Sequence, residues 1–400
     1  LVPILGLIVL LGCSSNKKNK SPITKDITQE MTAAKILGNP DYLAISYGGY
    51  RKKTREIQPT ILELKEDLKL LHAMGIRILR TYNVQPNFPH ASNILKAISL
   101  LKKEDPNFKM YVMLGAWIDC LNAWTDKAPN HDIESDQNEG EIERAVALAN
   151  KYPNIVKVIA VGNEAMVRWA TSYYVQPNVI LKWVNHLQEL KKKGDLSKDL
   201  WITCSDDFAS WGGGGDEYHN EDLNKLIRAV DFISMHTYAF HDTHYNPAFW
   251  NIHNQNDGLD KTMIINNAMR KEIDYELDQF RSVQEYVKSI DSSKPVHIGE
   301  TGWSSVATDL YGYGQSEAAD EYKLGLYYQM ITESCANFSI SCFYFSAFDE
   351  PWKDSSNENG SENHFGLFTV DGKAKYPLWD SVDKGNFNGL SRGGNPIAKA

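Results

Sequence analysis

Two glutamates stand where buried strands should end. In "IVKVIAVGNE" (residues 155–164) and "PVHIGETGW" (295–303), an apolar run closes on a carboxylate, Glu164 and Glu300. Taken singly, each reads as a rim salt bridge. Facing each other across one cleft, they have the residue types that break a glycosidic bond. One carboxylic acid protonates the leaving oxygen, and the other carboxylate attacks the anomeric carbon or activates a water.

That reading requires elements that bring the two together. Apolar strand-like runs cover 42–49, 76–82, 109–117, 155–164, 200–207, 231–240, 295–303 and 341–352. Amphipathic segments with helical spacing lie between them at 59–75, 92–104, 138–152, 178–194, 221–230, 272–290 and 317–334. The strands are hydrophobic along their length, as strands covered on both faces must be. Eight such units in a chain of 400 residues predict an α/β fold, a (β/α)8 TIM barrel with a single catalytic domain over 39–390. A doubly wound sheet is the alternative, but no Gly-rich phosphate turn follows the first strand. The "WGGGG" at 211–215 lacks the Lys and Ser/Thr of a phosphate loop and is read as a flexible connection.

In a barrel, catalytic groups sit at the C-terminal strand ends. Those ends are polar here: Arg80-Thr81-Tyr82-Asn83, Trp117 with Asp119, Asn163-Glu164, Asp206-Asp207, His236 with Tyr238, Glu300 with Trp303, and Asp349-Glu350-Pro351-Trp352-Lys353. For the fourth and seventh strands, barrel geometry sets the backbones about 14 Å apart and the carboxyls roughly 6 Å apart. That separation leans toward the retaining arrangement. No run of His and carboxylates has a metal-ligand spacing, so neither a metal nor another cofactor is expected. Gly299 and Gly302 are read as room for a substrate to approach Glu300.

Composition is consistent with this chemistry. The net charge of −9 lacks the basic footprint of a nucleic-acid binder. Aromatics make up 11% of the chain, with 10 Trp and 20 Tyr, enough to line a sugar cleft as well as a core.

Three segments, "VGNEA" (161–165), "IGETGW" (298–303) and "FSAFDEPWK" (345–353), together with "GIRILRTY" (75–82), resemble the retaining β-glucanases of glycoside hydrolase family 17. The resemblance covers residues 42–380. It implies Glu164 as acid/base and Glu300 as nucleophile, with Asn163 holding the sugar 2-hydroxyl and Tyr238 orienting the nucleophile. It also implies that Tyr82, Glu350 and Lys353 bind near the reacting sugar; His236, at the polar end of the sixth strand, is read as a further substrate contact. Lys353 would help keep Glu300 ionised, and a neighbouring carboxylate would keep Glu164 protonated. Trp303 and Trp352 would stack on sugar rings, with Trp117 and Trp124 as weaker candidates. The implied partner is a β-1,3-glucan of the laminarin type, cut internally by a monomer. Transfer of the cleaved chain to another glucan, or glucan binding by an inactive barrel, are the alternatives.

At the N-terminus, "LVPILGLIVLLGCSS" is too short to span a bilayer but suits a secretory apolar region. Leu10-Leu11-Gly12-Cys13 resembles a bacterial lipobox. That implies a signal peptide over 1–12, lipid on Cys13, a tether over 13–38, and a protein anchored in the cell envelope at the outer membrane, facing the periplasm or the exterior. Residues 391–400 are read as a C-terminal tail. For the remaining cysteines, Cys120, Cys204, Cys335 and Cys342, no disulfide is predicted.

Overall fold

Eight short parallel strands close on themselves: β1 (Leu43–Ser46), β2 (Ile76–Arg80), β3 (Tyr111–Ala116), β4 (Val156–Asn163), β5 (Trp201–Asp207), β6 (Ile233–His236), β7 (Val296–Thr301) and β8 (Cys342–Tyr344). Each pairs with its neighbours in chain order, and β8 returns to pair with β1. This is the expected (β/α)8 barrel, seen in a computed structural model that describes residues 31–250, 252 and 260–400. The apolar run, the lipobox with Cys13 and the tether as far as residue 30 lie outside the described residues, as do residues 251 and 253–259. Among the described residues no helix is long and apolar enough to cross a membrane.

Among the described residues, seven main helices cover the strands: α1 (Ile61–Ala73), α2 (His90–Glu104), α3 (Gln137–Lys151), α4 (Pro177–Lys193), α5 (Glu221–Ala229), α6 (Lys261–Ile290) and α7 (Glu321–Asn337). Their starts follow capping chemistry. Thr60 and Glu63 form a capping box on α1, and Asp320 accepts from Lys323 N at 2.7 Å on α7. Helix α6 begins eleven residues before the expected 272, because Asp260 caps it by accepting from Met263 N at 2.9 Å. The core is the apolar ring between barrel and helices, with Leu68, Ile98, Val112, Ile159, Ile202 and Ile298 fully buried.

Several expectations are corrected. The glycine-rich stretch is not a flexible loop. Residues 209–213 form a helical turn in which Trp211 is fully buried and donates to Ser234 O at 3.1 Å. Gly212, at φ 92°, lies against the Tyr286 ring, where a Cβ would approach to 2.2 Å. Gly299 and Gly302 serve packing rather than substrate access. A Cβ at Gly299 would fall 1.9 Å from Ser234 Oγ, and one at Gly302 would fall 2.1 Å from Phe345 O. The folded unit also reaches beyond 39–390, running from Thr32 to Ala400. Residues 33–36 form a helical turn that buries Ala33 and Ile36. The last ten residues include a hairpin whose Arg392 is buried against Asp67 at 2.9 Å.

Candidate active site

The β7 backbone delivers Glu300 to the barrel mouth, and both of its carboxylate oxygens are taken. Oε1 accepts from Tyr238 Oη at 2.6 Å. Oε2 accepts from Tyr82 Oη at 2.9 Å and from the Arg80 guanidinium. Arg80 is the last residue of β2 and only 1% exposed. It donates also to Gly299 O at 2.9 Å and to Asn163 Oδ1. Burial by itself pushes the Glu300 carboxyl up. The Arg80 guanidinium, then His236 and Lys353, and the Tyr238 hydrogen bond outweigh it and hold the group at about 2. Tyr238 and Tyr82 are pushed the other way, by burial first and the Glu300 charge second, so both phenols remain donors. In the sequence Arg80 reads only as a cation closing an apolar strand. The signal was there: a buried cation at a strand end needs an anion, and Glu300 is the anion at the same rim.

Glu164 is held differently. It follows β4 with φ 47°, a left-handed conformation that costs a non-glycine residue about 1–3 kcal/mol and gathers at functional sites. Its N–H donates to Ser205 O at 2.9 Å, which fixes the turn. Asp206, fully buried at the end of β5, accepts from Met166 N at 2.8 Å and fixes the residues that follow. The Glu164 side chain is 22% exposed and meets His236 Nδ1 at 3.1 Å, while His236 Nε2 meets Ser205 Oγ at 2.8 Å. One carboxyl is thus clamped by three donors and the other is open to a ligand.

One oxygen of Glu164, one of Glu300 and one ring nitrogen of His236 all lie within 4.8 Å of one another. The linear spacing of these residues hid a grouping that could in principle ligate a cation. Both ring nitrogens of His236 and both oxygens of Glu300 are already engaged, however, and the Arg80 guanidinium already pairs with Glu300. One oxygen of each carboxyl lies within 4.8 Å of the other, nearer the about 5–5.5 Å of retaining pairs than the roughly 6.5–9.5 Å of inverting ones.

The pair sits between two chambers that share Glu164, Glu300, Phe345 and Lys353. The first, about 390 Å³, is lined by Tyr82, Asn163, Trp117, Trp124, Glu350 and Trp352 among others. Tyr173 stacks on Trp124 with ring centroids 5.0 Å apart and joins Trp117 in one aromatic wall. The second, about 860 Å³, is lined by Trp169, Asp207, His236, Tyr238, Tyr245 and Tyr311 among others. Burial pushes Glu350 up to about 7, with Lys353 opposing. Lys353 pairs with Glu362 at 3.2 Å, so its effect on Glu300 is through space. Trp303 is the exception among the expected residues. It is fully buried, donates to Ala318 O at 2.9 Å and packs on Phe240, Trp250 and Tyr327, so it offers no face to a sugar.

A family model described as the BtgE/BtgC glycoside hydrolase domain matches residues 44–366. The crystal structure of an endo-laminarinase from Formosa is 65% identical, with 92% of this chain and 94% of that chain covered and a TM-score of 0.91. A glycoside hydrolase family 17 β-1,3-glucanosyltransferase from Rhizomucor miehei, at 22% identity, 83% and 94% coverage and a TM-score of 0.55, shares the fold. A glucan 1,3-β-glucosidase of Arthroderma benhamiae is 40% identical over 102 residues, 23% of this chain, and the match spans only 30% of that relative's length. The chain belongs to the BtgE/BtgC glycoside hydrolase family.

Proposed function

We propose that the protein hydrolyses internal bonds of a laminarin-type β-1,3-glucan with retention of configuration. The observation that carries this is the carboxylate pair within 4.8 Å, set between chambers on both sides. Glu300, kept ionised by Arg80, attacks the anomeric carbon while Glu164 gives its proton to the departing glucan oxygen. Glu164 then removes a proton from the water that attacks the glycosyl-enzyme ester, and Glu300 leaves. The Asn163 carbonyl is engaged by Arg80, which turns its amide nitrogen to the cleft as a donor for the sugar 2-hydroxyl. Trp352, Trp117 and Trp124 offer ring faces in the first chamber. Likeness to the Formosa endo-laminarinase supports the substrate and the internal mode of attack.

The test is incubation of wild type and Glu300→Ala with laminarin and with mixed-linkage β-glucan. Oligosaccharides from laminarin by wild type alone are expected; an equally active variant would remove Glu300 as nucleophile, and no release by wild type would remove the substrate. The larger second chamber, with Trp169, Tyr245 and Tyr311, favours a second reading in which another glucan replaces water as acceptor. Products longer than the substrate would establish that transfer. Lipid attachment at Cys13 is proposed on the lipobox resemblance, and labelled fatty acid retained by wild type but not by Cys13→Ser tests it.

A further inference from the structure

Behind the barrel wall, one turn of α6 grips the residues that flank the nucleophile's partners. Glu276 is fully buried and touches no cleft. Its Oε1 accepts from Ala239 N at 3.0 Å and from Thr301 Oγ1 at 3.1 Å, and both its oxygens accept from Tyr327 Oη at 2.8 Å. Three residues further along the helix, on the same face, Gln279 Oε1 accepts from Thr237 Oγ1 at 2.5 Å. Thr237 and Ala239 bracket Tyr238, and Thr301 follows Glu300. Tyr238 and Glu300 are the pair joined at 2.6 Å in the site.

We propose that Glu276 is a positioning residue that sets the Tyr238–Glu300 hydrogen bond from behind. The two strand ends are joined along the sheet, where Thr237 N donates to Glu300 O at 3.1 Å; from α6, Gln279 reaches only β6's end, whereas Glu276 reaches the backbone after Tyr238 and the side chain after Glu300. An acid here is costly, since burial pushes its carboxyl up to about 7 while the bonds from Ala239, Tyr327 and Thr301 pull it down. A carboxylate can take all three donors, where a neutral amide at the same place turns an N–H toward one of them. Its loss therefore loosens the Tyr238 contact without touching substrate. This inference rests on Glu300 being the nucleophile.

The experiment is a double-mutant cycle of Glu276→Gln with Tyr238→Phe, read as kcat and KM on a laminarin oligosaccharide. Glu276→Gln is expected to lower kcat by about 10- to 100-fold, the span of a lost hydrogen bond to an ion, with KM changed less than about twofold. The double variant is expected to lie within about threefold of Tyr238→Phe alone, because one contact is lost only once. Losses that multiply, a rise in KM with kcat intact, or an unaffected Glu276→Gln would overturn the proposal. If Glu276→Gln does not fold, Thr301→Val, which removes one of the three donors, enters the same cycle with the same two outcomes. Wild-type rates in both Glu300→Ala and Tyr238→Phe would instead refute the nucleophile assignment, and so separate that failure from this one.

Discussion

Replacing Arg80 by Met tests what keeps the nucleophile charged. The guanidinium is the largest of the influences that lower the Glu300 carboxyl, from an ordinary 4.5 to about 2, against the opposing push of burial. Without it, His236, Lys353 and Tyr238 face the same desolvation alone, and the carboxyl is expected to climb to 4.5 or above. The sign follows from the depressed value. Reactivity that needs ionised Glu300 is complete above its pKa and fades as pH falls through it. Wild type should therefore keep an ionised nucleophile down to about 2, whereas in Arg80→Met the acid limb of kcat/KM should move up by about two pH units or more. Stability follows the same linkage. The contribution from Glu300, on the order of 3 kcal/mol, is present above 4.5 and lost as pH falls toward 2, and the variant should lack that acid dependence. Leaving Glu300 buried without its partner is also expected to cost about 3–5 kcal/mol at neutral pH. The assay is a pH series of kcat/KM on laminarin oligosaccharides, with folding checked by circular dichroism at each pH. A variant of lower activity whose acid limb does not move would refute the electrostatic role and leave Arg80 a purely structural one.

Other expectations follow from the same geometry. Trp303→Ala should cost about 3–5 kcal/mol of unfolding free energy with little change in KM, whereas Trp352→Ala should raise KM with little loss of stability; denaturant melts and kinetics together separate the two. Glu164→Gly should abolish turnover of laminarin yet cost almost no stability, because relief of the left-handed strain, about 1 kcal/mol, offsets the lost His236 contact; a clear drop in melting temperature would contradict it. Gly299→Ala should destabilise by more than about 1 kcal/mol through its clash with Ser234 Oγ, and Ser234→Gly in the same chain should recover part of that loss.

The barrel was legible because both-face burial writes itself as apolar runs, and each run did become a strand. Glu164 and Glu300 were legible because a charge that closes such a run is conspicuous. What escaped had causes beyond the local sequence. Trp303 and Trp352 look alike as tryptophans near polar strand ends, but Trp303 is roofed by Phe240, Trp250 and Tyr327, which are 63, 53 and 24 residues away in the chain. Glycine next to a candidate nucleophile suggested space for a ligand, while the space is filled by Ser234 from the neighbouring strand. The start of α6 was masked by an Asn-rich stretch that reads as loop until Asp260 is recognised as a cap. Arg80 and Glu276 act through contacts that span 220 and 25 residues, a pairing that only the closed barrel reveals.

The account depends most on Glu300 carrying the glycosyl group. Incubation with a 2-deoxy-2-fluoro laminaribiosyl fluoride, followed by proteolysis and mass spectrometry, reads that bond directly. The predicted result is one fluoro-disaccharide attached to the peptide bearing Glu300, formed in Glu164→Ala as well and absent in Glu300→Ala. Stable modification of Glu164, or steady inverting turnover with no adduct on any peptide, would contradict it.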